Sequence, residues 1–399
     1  TQFRGFERIT QGRPVHEMPA LMARICGICP VSHLVASAKA ADDIMAVEPT
    51  PTGADLRRVI NLGQIVQSNA LSFFHLSSPD LLFGFDADPA VRNIIGVARA
   101  NPGLAMDGIG LRKWGQQIIE WVAGKRIHPE GIVPGGVAWP LTAEIRDRIL
   151  AGVPEAIASV ERAIAWYKSD MMRWEEEAAT FGNFRSAFMG LVDREGNVDH
   201  YGGWLRVVDA DGKFLADRVD PKHFNDYIGE AVEPWSYLKS TYWKAMGYPD
   251  GIYRVGPLAR LNICSHIATP LANAELKVWR EKRRVQTSSF YFHWARLIEL
   301  LYAAEHCLEL ACDKDITGKE LRAPMGKIVG EGVGTVEAQR GTLTHHYCTD
   351  EKGITKKVNL IVGTTNNNGA ICLSVKMAAM QLIKPGIEVD EGILNLIEM

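Results

Sequence analysis

No stretch of this 399-residue sequence stays apolar for the roughly 18–20 residues that cross a bilayer, and no signal peptide opens it. An excess of one charge is missing too. The 44 basic and 47 acidic residues leave a formal charge of −3 without a basic stripe, so nucleic acid and anionic membrane surfaces are not expected partners. No G-x-G-x-x-G follows a strand into a helix, which excludes a dinucleotide site of that type on this chain. Cysteines are sparse: seven, at 26, 29, 264, 307, 312, 348 and 372. Their odd number and scatter argue against a disulfide framework and for a reducing compartment, read as the cytoplasm. Repeats, low-complexity tracts and obvious linkers are absent.

The composition that remains, 47% hydrophobic and 23% charged, can bury a substantial core. Periodicity predicts helices over 53–78, 108–123 and 155–178, and two more within 272–284 and 287–313. In the third, Ile157, Val160, Ile164, Tyr167, Met171 and Trp174 form one stripe. Trp204–Val208 and Phe214–Leu215 around Asp209–Gly212 read as a β-hairpin. A second hairpin is expected to run out over 334–348, turn near Asp350–Gly353, and return over Val358–Thr364. The expected fold class is mainly α with small β-hairpin subdomains (α+β), a single unit over 1–399 built on long central helices.

The richest segment is Arg24-Ile25-Cys26-Gly27-Ile28-Cys29-Pro30-Val31-Ser32-His33. Two thiols at this spacing can grip one soft metal ion. Pro30 and the apolar positions after it start a helix, whose positive end favours a thiolate at Cys29. His33 falls one turn beyond Cys29 on the same side. Taken alone, the pair also fits half of a zinc site or a dithiol redox pair, and His33 a core histidine. Cys264-x-His266 is a weaker ligand pair, and the other cysteines default to core.

Several separated motifs together resemble the large, catalytic subunit of nickel–iron hydrogenases. R-x-C-G-x-C-x-x-x-H at 24–33 matches that family's first nickel-binding signature. Arg4-Gly5-Phe6-Glu7 is similar to its R-G-x-E segment. Gly332–Gly341 (GVGTVEAQRG) resembles its G-x-G-x-x-E-A-P-R-G hairpin, and Leu360–Thr365 its return strand. Val133–Val137, Arg254–Arg260, Gly5–Glu17 and Ser72–Asp80 look like the cytosolic NAD-reducing subgroup.

The resemblance implies nickel held by four thiolates, two of them bridging to an iron that carries carbon monoxide and cyanide. Cys26 would be a terminal nickel ligand and Cys29 a bridging one. His33 would donate to the Cys29 sulfur, and Arg340 would poise its guanidinium over the iron's diatomic ligands. Thr364 would hydrogen-bond a cyanide. Glu7 and the Leu360 carbonyl would hold a magnesium-type ion. Electrons from dihydrogen would pass to an iron–sulfur small subunit, then through a flavin (FMN) module to NAD on diaphorase subunits.

Departures accompany the match. The second signature, D-P-C-x-x-C-x-x-H, and the R-x-E-G-H segment are not among these residues, and the reading expects both in polypeptide beyond Thr1 and Met399. Gln339 stands where proline is usual, and Ser68 where many membrane-bound relatives carry an aspartate near the arginine. Plain alternatives stay open: Glu7 as a partner of Arg4 or Arg8, Arg340 as a surface residue, and Thr364 as an ordinary strand-end residue. Rival functions are a large subunit with another acceptor (deazaflavin or viologen type), a non-catalytic scaffold akin to the respiratory-complex subunit of this fold, and a zinc-stabilised binding protein.

Overall fold

Most of the helices that frame the molecule begin on punctuation visible in the sequence. A computed structural model describes residues 4–386 and 388–398; Thr1 and Met399 lie outside them. Helix α1, Pro30–Ile44, and α2, Pro51–Ala70, each open with proline at the first turn, and the Thr50 hydroxyl caps α2 by accepting from the Gly53 amide at 3.1 Å. Helix α3, Pro102–Ala123, is capped by the Asn101 side chain and stopped by left-handed Gly124. The others are α4 (Ala143–Met171), α5 (Pro257–Ile263), α6 (Phe292–Cys312) and α7 (Gly363–Leu382).

The expected 53–78 helix is α2 continued by a π-helical turn, Leu71–Ser77, and a short helix from Ser78 to Phe83. Expected start points at 108 and 155 are both late. Three glycines dilute the apolar pattern early in α3, and Pro154, which by sequence reads as a boundary, lies inside α4. Helix α6 falls inside the range read for it, whereas helix Pro270–Glu281 starts two residues before the expected 272, with proline in its first turn.

Strands β1 (Ala187–Val192), β2 (Trp204–Val208), β3 (Phe214–Val219) and β4 (Tyr253–Arg254) form one sheet in the order β3-β2-β1-β4. The β2–β3 pair is the first expected hairpin, with Val208 opposite Phe214. Strand β4 runs parallel to β1 and delivers Gly256 to the start of α5.

The second hairpin is a three-stranded meander instead. Strands β5 (Glu331–Ala338), β6 (Gly341–Thr349) and β7 (Thr355–Ile361) pair in the order β7-β6-β5. Ala338 opposes Gly341, so Gln339 and Arg340 are a two-residue turn and not mid-strand positions. The return strand ends at Ile361; Thr364 belongs to α7.

Helix α1 is buried on nearly all sides, which its small residues (Ser32, Ala36, Ser37, Ala38, Ala40, Ala41) permit. Strand β5 crosses it through Gly332-Val333-Gly334. A Cβ on Gly334 would stand 1.9 Å from the Ala36 carbonyl oxygen, so this G-x-G serves helix-on-strand contact and not a phosphate. One cluster of buried apolar side chains extends from Ala23 to Leu396 across α1–α7, with smaller clusters under the two sheets. Among the described residues no helix is long and apolar enough to cross a membrane.

Candidate metal centre

The two thiols sit where the chain enters α1. Cys29 is the N-cap with Pro30 at the first helical position, and its amide donates to the Cys26 sulfur at 3.2 Å. Helix α2 fixes this loop from below. Gln64 and Gln67, both buried, donate their side-chain nitrogens to the Ile28 carbonyl at 2.8 and 2.9 Å. Sequence patterning passes over these glutamines, because a polar residue on a helix reads as solvent-facing until its long-range partner is known.

The thiols share one proton. Cys26 is pulled down to about 5, first by the hydrogen bond from the Cys29 thiol; burial opposes, and the Cys29 and Ile28 amides and the Arg340 charge assist. Cys29 is pushed far up, first because Cys26 holds its proton and then by burial. The pair is thus a thiolate and a thiol in contact, half open to solvent.

Arg340, exposed at the β5–β6 turn, is close enough for its charge to act on both sulfurs. Its backbone is wedged. A Cβ on Gly256 would lie 2.9 Å from the Arg340 carbonyl oxygen, and one on Gly363 3.1 Å from its carbonyl carbon. The Asn367 amide donates to that oxygen at 3.2 Å. Arg260, on α5 and fully buried, donates to the carbonyls of Ala338 (2.9 Å) and Gln339 (3.2 Å). The same guanidinium pairs with Glu337 at 2.6 Å and with Glu299 of α6 at 2.8 Å. Glu337 in turn accepts from the Leu191 amide and the Thr342 hydroxyl at 3.0 and 2.7 Å. This buried Glu–Arg–Glu knot sets the turn's position. The glycine-rich hairpin motif includes Glu337 but gives no hint of that task.

The Gln339 side chain lies beside the Cys29 sulfur, buried, with neither its nitrogen nor its oxygen in a well-formed hydrogen bond. Such orphaned amide atoms mark a place where another group belongs.

His33 is buried and held low, at about 4, by desolvation. Its Nδ1 meets His345 Nε2 at 3.0 Å, His345 Nδ1 meets the Tyr347 hydroxyl at 2.5 Å, and Tyr347 donates to Ser37 Oγ at 2.8 Å. Since Tyr347 donates onward, it accepts from His345 Nδ1, and His345 Nε2 accepts from His33 Nδ1. The imidazole expected to address the Cys29 sulfur therefore spends its Nδ1 proton inside the meander.

Glu7 accepts from the Leu360 amide at 2.9 Å and from Arg4 at 2.7 Å, so its plain partner and its expected neighbour both meet it. Leu360 is opposite His345 in the β6–β7 ladder, which ties Glu7, His33 and the thiol loop into one contiguous region. Thr364 is exposed in the first turn of α7, next to Gly363. Ser68 is buried with its hydroxyl unpartnered. Cys264 accepts from Arg280 at 3.3 Å and is buried, while His266 is exposed; they form no ligand pair. Cys307 is buried, and burial pushes it up to about 12.

A mainly helical scaffold that brings a thiol pair under an arginine turn, beside a buried amide without a well-formed hydrogen bond, fits a protein of the thiolate-ligated transition-metal class. Sulfur donors suit soft and borderline transition ions, zinc, copper, iron and nickel among them, and do not suit magnesium or calcium. The chain belongs to the nickel-dependent hydrogenase family. Residues 4–90 match that family directly. The chain is 40% identical over 415 residues to the beta subunit of the NAD-reducing hydrogenase HoxS of Cupriavidus necator, covering 100% of this chain and 85% of that protein. It is 41% identical over 385 residues to a subunit of the F420-non-reducing hydrogenase vhu of Methanocaldococcus jannaschii, covering 96% and 92%. The crystal structure of an NAD+-reducing [NiFe]-hydrogenase in the H2-reduced state superposes with a TM-score of 0.96 at 43% identity, over 99% of this chain and 88% of that one.

Proposed function

We propose that this chain is the dihydrogen-activating subunit of a cytoplasmic hydrogenase that passes electrons through a small iron–sulfur protein, then a flavin module, to NAD. The observation that carries it is the meeting of the Cys26–Cys29 loop with the Arg340 turn, 311 positions beyond Cys29 in sequence. The nickel–iron group, when bound, supplies the redox and Lewis-acid chemistry that polarises dihydrogen.

The chain's own residues hold and surround that group. Cys26 would hold the nickel, and Cys29 would hold both the nickel and the iron. Arg340, whose backbone the turn holds in place, would offer a permanently charged fork to the iron's carbon monoxide and cyanide ligands. Thr364, exposed beside the same turn, would offer a hydroxyl to cyanide, and neutral His33, its Nδ1 proton given to His345, ties α1 to the meander behind the loop. Glu7 and the Leu360 carbonyl are the hard-oxygen pair for a magnesium-type ion. Identity to an NAD-reducing relative supports NAD as acceptor, and a chain without a dinucleotide fingerprint leaves NAD to a partner. A second acceptor reading, hydrogenase activity not coupled to NAD, draws on the equal likeness to the F420-non-reducing relative.

The test uses the purified complex. Cys26→Ser and Cys29→Ser should each abolish dihydrogen-driven dye reduction and lower nickel content. Full activity in either variant would overturn the assignment.

A further inference from the structure

On the far side of the meander, three donors of different softness converge. Side chains alternate along β6, so His345 and Tyr347 face α1 while His346 and Cys348 project from the opposite face. Cys348 is directly opposite Glu331 in the β5–β6 ladder. His346 Nε2 lies 2.7 Å from Glu331 Oε1 and 3.9 Å from Cys348 Sγ. One ligand atom from each residue falls within 4.8 Å of the other two.

We propose that Glu331, His346 and Cys348 form a second metal site, for a divalent transition ion of zinc's type, separate from the nickel–iron centre. Metal–ligand bonds of about 2.0–2.3 Å hold neighbouring donors on a tetrahedral ion roughly 3.3–3.8 Å apart, so the site closes by small side-chain rotations. A thiolate, an imidazole and a carboxylate make three protein ligands and leave a fourth position for water. The thiolate and carboxylate together neutralise a dication.

The surroundings suit the role. His346 is 6% exposed, and the Phe224 ring meets it edge-on at 5.8 Å, which fixes the imidazole. The Glu331 side chain is 67% exposed and Cys348 is half-buried, so an ion can enter from solvent. Burial, then the Glu331 carboxylate, keep the Cys348 thiol protonated; an arriving cation displaces that proton. Lys357, opposite Cys348 on β7, is the cation facing the site, and it is exposed. The ladder slips register just after Cys348, so a metal here would clip the end of the sheet whose other end carries Arg340.

The experiment loads the chelator-dialysed complex with cobalt(II) and compares wild type with Cys348→Ala and Glu331→Gln. Wild type should gain a thiolate-to-cobalt charge-transfer band that Cys348→Ala lacks entirely and Glu331→Gln forms at least ten-fold more weakly. Nickel content and dihydrogen-driven turnover, which test the nickel–iron reading, should be unchanged in both variants. Absence of the band in wild type would show that Glu331 and His346 are a hydrogen-bonded pair only, and its persistence in Cys348→Ala would place the cobalt on other thiols; either result would overturn the site.

Discussion

Arg260→Met would leave Glu299 and Glu337 buried together without the guanidinium that both now touch. In the native chain, burial works to raise Glu299, but the Arg260 charge and hydrogen bonds hold it down at about 2. Burial outweighs Arg260 at Glu337, which sits above the ordinary carboxylate range. Removing the cation strands an uncompensated buried charge, a change of roughly 3–5 kcal/mol. For a chain of this length that lowers the melting temperature by about 4–6 °C at pH 7. The pH dependence has a definite sign. Glu299, depressed in the native fold, contributes stability that is present above its unfolded value of roughly 4.3 and is lost as pH falls toward 2. In the variant both carboxylates are raised, so its folded state binds protons the unfolded state does not, and stability declines as pH rises through 5 to 7. Calorimetric scans of wild type and Arg260→Met at pH 7 and pH 5 should show a deficit that shrinks in acid. Adding Glu299→Gln and Glu337→Gln should recover much of it at pH 7. An unchanged melting temperature at pH 7, or a deficit that is the same at both pH values, would refute the account of this knot.

Two further outcomes are expected. Gly334→Val should prevent β5 from seating on α1, because its Cβ alone would collide with the Ala36 carbonyl; the loss exceeds the usual overpacking range of about 1–3 kcal/mol and should appear as little folded protein on expression, against normal yield for Val329→Ala on the exposed loop. Arg340→Lys keeps the charge but loses the planar fork, so dihydrogen-driven turnover should fall on the order of 10²-fold with nickel and iron still bound; wild-type rates would remove the role assigned to the fork.

The thiol loop and its helix were legible because their signals are local: C-x2-C, proline at the first turn, an apolar run. Arg340 was legible by resemblance but misplaced on a strand, since two residues without an Asn-Gly or Asp-Gly signature do not announce a turn. The supports of the site were not legible. Gln64 and Gln67 reach Ile28 across 36 and 39 positions, Arg260 reaches Glu337 across 77, and His33 reaches His345 across 312. Such partners share no spacing rule; only the packing of α1, α2 and the meander brings them together. The helix expected from 155 begins at Ala143 instead, because α4 runs straight through Pro154.

The distance along the chain between Cys29 and Arg340 also sets a schedule. At about 5–20 residues per second, a ribosome finishes the thiol segment roughly 15–60 s before it makes the arginine turn that roofs it. Through that interval α1 lacks β5 against its glycine-contacted face, and neither sulfur feels the arginine charge that acts on both in the finished fold.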